Sequence, residues 1–316
     1  MKSNISYKEE FPGVIRIEPS ATCNLACIHC PTGTLGNPVK GNMTKELFLK
    51  IKEEIKEFNI RVAVLYMGGE PFINKNFFFM VEELKKINIP FIKTVTNGML
   101  LNKKIINDIV NSGLDSIEIS LDGNSSEIND FIRKNSNHQK VLDNLILLYE
   151  EKIKTNSKIN ITVSSTQFKK LDKNNKLVSS PSHWIEKKLE KYINLKMLNI
   201  NYVDAIKWSD MKIDNTVFDV VEDENDITSN SCDHVINTMT VRYNGDIVPC
   251  CYDLTSQLIM GNILEDKLSN IWNNNKYLKL RKSINNGKLF SICVDCSVVN
   301  KNKYLILKQE FTSAKT

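Results

Sequence analysis

Eight cysteines fall into two groups, at positions 23, 27 and 30 and at positions 232, 250, 251, 293 and 296. The opening MKSNISYKEEFPG has no apolar signal segment, so clustered thiols read as metal ligands or catalytic groups rather than disulfides. In Cys23-x3-Cys27-x2-Cys30 three thiolates can reach one face of a small cofactor. A structural zinc site wants a fourth ligand, and His29, adjacent to Cys30, should point away from a shared metal. A [4Fe–4S] cluster held by three cysteines leaves one iron open to an exchangeable small molecule. The second group, Cys232, Cys250 and the pair Cys293-Val294-Asp295-Cys296, offers four thiolates around one point. Zn(Cys)4 and a fully ligated iron–sulfur cluster both satisfy that set. Cys251 has no assigned place; it reads as a buried thiol or as a substitute for Cys250.

The elements that position these residues alternate. Strand-like runs occur at Val14–Glu18, Val62–Met67, Phe91–Thr96, Ser116–Leu121, Ile159–Ser164 and Leu195–Val203. Helical patterns lie between them at Thr44–Phe58, Phe77–Ile87, Asn102–Asn111, Lys140–Glu151 and Trp184–Tyr192, with Thr44 as an N-cap. Six strand–helix units in sequence predict an α/β fold with parallel pairing through right-handed crossovers. That is either a doubly wound sheet or a partial (β/α)6 TIM-like barrel, whose chemistry would sit where strands run into loops. Four strands end in polar or glycine-rich loops, at 19–30, 68–71, 96–98 and 120–123. Residues 204–230 are acidic, with Asp204, Asp210, Asp214, Asp219, Glu222, Asp223, Glu224 and Asp226, and read as a solvated connector. Thr238–Val248 alternates around Asn244-Gly245, a hairpin signal, and Leu268–Lys282 reads as one helix. The expected organisation is a barrel at 1–203, the connector at 204–230, and a β-hairpin-plus-helix domain at 231–316.

The 316 residues exceed one usual core, and the composition (41% apolar, 25% charged) is that of an ordinary globular chain. A net charge of +5 without a basic block gives no reason to expect nucleic acid, and no apolar run is long enough for a membrane span. A cytoplasmic location is expected.

The cysteine triplet resembles the signature of radical S-adenosylmethionine (SAM) enzymes, and further motifs follow in order. Gly68-Gly69-Glu70-Pro71 is similar to the segment that binds the SAM amino group. Asn97, in Thr96-Asn97-Gly98, matches the polar end of the third strand. Ser120 and Asp122, in Ser120-Leu121-Asp122-Gly123, match the end of the fourth. Arg133 follows, where the family holds the SAM carboxylate and ribose; a guanidinium fork suits a carboxylate. His29 stands where the family often has an aromatic residue, and its ring can stack beside the cluster or adenine. Gly245–Cys251, Gly261-Asn262-Ile263 and Ile271-Trp272 resemble the SPASM/twitch extension, which carries auxiliary [4Fe–4S] clusters.

With no cysteine after Cys296, the layout is similar to the single-cluster type typified by the inosamine dehydrogenase of butirosin formation. In that type Cys232, Cys250, Cys293 and Cys296 would ligate the auxiliary cluster. The resemblance implies two [4Fe–4S] clusters, SAM, and an electron donor such as flavodoxin or ferredoxin. It also implies hydrogen abstraction from a sugar- or cyclitol-like alcohol, with the auxiliary cluster accepting an electron. Peptide modification and epimerisation are the alternatives within the family. Only about a dozen residues precede the first strand, which argues against a peptide-recognition domain, and epimerisation would need a hydrogen donor such as Cys251. A non-catalytic metal-binding scaffold is the alternative outside it. Tyr66, Gln167, Tyr202, Tyr252 and Asp253 are candidates to face a substrate hydroxyl, each with a structural role as the default.

Overall fold

Val14–Ile17 (β1) places Ile15 and Ile17 on one side and Arg16 on the other, the period of two that a strand imposes. In a computed structural model describing residues 7–34, 40–174, 176–179, 182–209, 211–223, 229–300 and 303–308, this alternation repeats along Phe91–Thr96, Ser116–Ser120, Asn160–Gln167 and Asn199–Asp204. The strands are β2 (Val62–Val64), β3 (Phe91–Thr96), β4 (Ser116–Ser120), β5 (Asn160–Gln167), then a short antiparallel pair, β6 (Lys170–Leu171) and β7 (Leu177–Val178). They continue as β8 (Asn199–Asp204), β9 (Phe218–Glu222), β10 (Thr238–Val241), β11 (Asp246–Val248), β12 (Gly261–Asn262) and β13 (Lys303–Leu307).

β1, β2, β3, β4, β5 and β8 lie side by side, all parallel, giving the expected partial (β/α)6 barrel. Ile15, Ile17, Leu65, Ile92, Ile117 and Val163 face the helices and form the main core. Phe48, Ile51 and Ile55 of the helix Lys45–Ile55 pack there too, and Thr44 accepts from Leu47 N at 3.2 Å to cap that helix. The alternate positions face the concave side, where Tyr66, Val95, Ser120 and Ser164 line a cavity.

The C-terminal hairpin is not a sheet of its own. β10 pairs in parallel with β1, and β11 and β12 follow antiparallel, so one nine-stranded sheet runs through both parts. The acidic stretch is more than a solvated connector. Its strand β9 pairs with β13, and Phe218, Met211 and Val217 are buried with Phe168, Leu305 and Leu307 in a second apolar cluster. Asp210, Glu224, Asp226 and the tail beyond Lys308 lie outside the described residues.

Two element readings need correction. Leu195–Met197 is a 3-10 turn and the strand begins at Asn199. The expected helix Leu268–Lys282 is two, Leu268–Trp272 and Asn275–Asn285, because Asn274 caps the second by accepting from Lys276 N and Tyr277 N at 2.9 and 3.1 Å. No described helix is long and apolar enough to cross a membrane.

Candidate active site

Cys23, Cys27 and Cys30 sit on the loop after β1 and line a cavity of about 450 Å³ at the ends of the parallel strands. The loop is held from two sides. Ala26 N and Ile28 N donate to Lys134 O and Ile132 O, at 3.0 and 2.9 Å. The turn Pro31–Thr34 folds back so closely that a Cβ on Gly33 would lie 2.2 Å from Cys27 O, which only glycine permits. Burial raises the Cys23 thiol and pushes Cys27 up to about 12, against the opposing pull of the Arg133 charge. These thiols hold their protons until a metal displaces them, and binding then releases protons.

The next loop supplies Gly68, Gly69 and Glu70. A Cβ on Gly69 would meet Ser20 O at 2.3 Å and Thr22 O at 2.5 Å, so the glycine permits the second loop to lie on the first. Glu70 borders the cavity but is 2% exposed, and its oxygens accept from Thr96 Oγ1 (2.8 Å), Asn97 N (2.9 Å) and Phe72 N (3.3 Å). Burial raises it to about 7 despite those donors. It fastens the third strand's end, and Pro71 opens a 3-10 turn without bordering the cavity. Asn97 borders the cavity and donates to Asn24 Oδ1 at 2.9 Å; Ser120 borders it as well.

Asp122 is the hub of the far wall. Burial opposes its ionisation, but the Arg133 charge and the His29 hydrogen bond outweigh that and hold its carboxyl well below the usual range. Arg133 Nη1 donates to Asp122 Oδ2, His29 Nε2 lies 3.1 Å from the same oxygen, and Thr166 N donates to Oδ1 at 2.8 Å. Arg133 reaches this place as the C-cap of the helix Ser126–Ile132, which the sequence reading missed. The signal was there: Ser125 before Glu127, then Ile128, Phe131 and Ile132 at helical spacing. His29 is thereby tied to the Asp122 cluster through Nε2.

The second cysteine group also assembles. Cys250 feels Cys251, Cys296 and Cys232, and Cys293 feels Cys296 and Cys232; burial raises Cys250 strongly and Cys293 to about 12. Among the described residues, no three His, Cys, Asp or Glu side chains converge as for a single metal ion. Two further observations test the fit at the first group. Arg133 Nε and His29 Nδ1 are buried beside those thiols without a hydrogen-bond partner among the described residues. The unspent Arg133 Nε donor next to these thiols suits an anionic iron–sulfur cluster and its ligand.

Of the substrate-facing candidates, Tyr66 and Tyr252 line the cavity. Gln167 is occupied by Gly123 O and Ser165 Oγ at 2.7 Å, Tyr202 by Glu186, and the wholly buried Asp253 by Gln257 N and Leu258 N. One pair had no local signal: Glu18 and Arg242, buried together at 2.7 Å. Glu18 Oε1 also accepts from Gly68 N at 3.1 Å, tying the glycine loop to the hairpin.

Residues 17–169 match the model of the Radical SAM superfamily, and residues 232–297 match that of the iron–sulfur cluster-binding SPASM domain. The chain is 24% identical to the tungsten-containing aldehyde ferredoxin oxidoreductase cofactor-modifying protein of Pyrococcus furiosus, over 89% of its own length and 86% of the relative's. It is 30% identical to the mycofactocin maturase MftC of Mycobacterium ulcerans, spanning only 31% of that protein. Its fold is similar to that of BtrN in complex with AdoMet and 2-DOIA, with a TM-score of 0.58, 18% identity, and coverage of 91% of this chain and 94% of that one.

Proposed function

With a radical SAM domain followed by a SPASM domain, this chain is a radical SAM enzyme, and we propose that it oxidises an alcohol in a small sugar- or cyclitol-like substrate. The observation that supports this reading is that the first thiol group shares one cavity with two tyrosines that feel charges of the second group. Cys23, Cys27 and Cys30 line one side of it. Tyr66 and Tyr252 line it too, and both feel the Cys251 charge; Tyr252 also feels Cys296 and Cys250.

When bound, SAM on a cluster held by Cys23, Cys27 and Cys30 supplies a hydrogen-abstracting radical, and a cluster held by Cys232, Cys250, Cys293 and Cys296 supplies an electron acceptor. The chain's own residues bind and shield. Asn97, Ser120, Arg133 and the backbone at Gly68 and Gly69 offer polar groups for SAM, with Asp122 orienting Arg133 and His29. Met67, Trp208, Leu254 and Leu305 close the cavity with apolar surface, which keeps water from a reactive species. A reduced flavodoxin or ferredoxin would supply the initiating electron.

The test is anaerobic incubation of the reconstituted enzyme with SAM, dithionite and a panel of sugars and cyclitols. Substrate-dependent formation of 5'-deoxyadenosine with one new carbonyl per turnover supports the reading. Turnover that gives only an epimer, or only a modified peptide, contradicts it.

A further inference from the structure

Arg16 is the one buried arginine on the concave face without a counter-ion among the described residues. Its backbone is registered with Val64 on β2 and Thr240 on β10, and it is 8% exposed. Its Nε and Nη1 are buried with no hydrogen-bond partner among the described residues, and so is the hydroxyl of Thr240 beside it. The other buried arginines each leave one such nitrogen, Arg133 Nε, Arg242 Nε and Arg281 Nη2, but have an anion or carbonyls against the rest of the group. Arg133 meets Asp122, Arg242 meets Glu18, and Arg281 donates to Val235 O and Tyr7 O. A guanidinium removed from water without an anion is costly, and folds keep such a group where a ligand completes it.

The group in front of Arg16 is Tyr66. Its ring lies 5.5 Å from the guanidinium carbon, and it forms part of the cavity wall. Burial raises the phenol, opposed by the Arg16 charge and a hydrogen bond to Arg16 and helped by the Cys251 and Glu118 charges, so Tyr66 stays protonated and able to donate. Beta-barrel interiors at this depth are commonly packed with Val, Ile and Leu; Arg16, Lys93 and Glu118 stand here instead.

We propose that Tyr66 and Arg16 form an anion subsite in the cavity wall, so that the substrate is a hydroxylated compound carrying a carboxylate or phosphate group. The Tyr66 O–H donates to the anionic oxygen from the cavity side, and Arg16 behind the ring balances its charge through a low-dielectric interior. The proposal rests on the reading of the cavity as a substrate site and narrows the class that enters it.

Thermal unfolding of the reconstituted holoenzyme tests it, with inorganic phosphate or acetate at about 50 mM against sodium chloride at matched ionic strength. An occupied site raises the midpoint by mass action. The wild type is expected to respond to one or both anions, and the stronger response identifies phosphate or carboxylate as the group. Arg16→Met should lose the response without a lower midpoint in chloride, because it removes an uncompensated charge. Arg16→Lys should retain part of the response, and Tyr66→Phe should weaken it about tenfold or more in the anion concentration required. No anion response in the wild type, or the same response in Arg16→Met, overturns the proposal; should the methionine variant not fold, an unchanged response in both Arg16→Lys and Tyr66→Phe does so. Formation of 5'-deoxyadenosine by the wild type, measured separately, reports on the enzyme reading, so the two can fail independently.

Discussion

Replacing Arg242 by methionine tests how the glycine loop is anchored. Glu18 is wholly buried, forms an ion pair with Arg242 Nε at 2.7 Å, and accepts from Gly68 N at 3.1 Å and Tyr243 N at 3.3 Å. Burial raises the Glu18 carboxyl, and Arg242 is the first of the forces pulling it back. Without Arg242, Glu18 remains charged in a dry interior or takes a proton. Taking a proton at pH 7 from an ordinary value of 4.5 costs roughly 3 kcal/mol, at about 1.4 kcal/mol per pH unit, which caps the electrostatic loss. The carbonyls of Asp253 and Leu254 also lose Arg242 Nη1, at about 1 kcal/mol each.

The variant is therefore expected to lose about 5 kcal/mol near pH 7 and only about 2 kcal/mol near pH 4.5. The sign follows from a folded-state pKa above the unfolded one: the contribution is intact below pH 4.5 and is lost as pH rises. Urea midpoints followed by circular dichroism, at several pH values on anaerobically reconstituted protein, measure it. Adding Glu18→Gln to Arg242→Met should flatten the slope. A pH-independent loss, or a slope surviving in the double variant, refutes the reasoning.

Glu70 carries a similar signature in the wild type. Its raised value of about 7 means stability is intact below pH 4.5 and declines by roughly 3 kcal/mol up to pH 7, a component that Glu70→Gln should remove in the same urea series. Gly33→Ala should displace Cys27 and cut bound iron by about half, read by iron analysis, because its Cβ cannot share space with Cys27 O. Asp122→Asn should weaken SAM binding measured by equilibrium dialysis by about tenfold or more, since it frees Arg133 and His29 from their shared carboxylate. Cys293→Ala should lower iron from about eight to about four per chain and block oxidation while sparing part of the SAM cleavage.

The barrel was legible because buried parallel strands are short apolar runs such as Val62–Leu65, and its polar loops follow them directly. Both cysteine groups were legible because thiol spacing carries its meaning locally. Strand β9 was not, since Phe218-Asp219-Val220-Val221-Glu222 is acidic and its partner β13 lies some 80 residues on. The docking of the hairpin against β1, the Glu18–Arg242 pair and the close approach of Gly33 to Cys27 are contacts in space that no local pattern encodes. Asn273-Asn274 divides an apparently continuous apolar period through a side-chain cap, a signal weaker than the period it interrupts.

The central claim is that Cys23, Cys27 and Cys30 hold the cluster on which SAM is cleaved. Anaerobic reconstitution with iron and sulfide, then dithionite and SAM, with 5'-deoxyadenosine quantified by chromatography, tests it most directly. The wild type should form 5'-deoxyadenosine and Cys27→Ala should form none. Full cleavage by Cys27→Ala, or none by iron-replete wild type, would contradict the account.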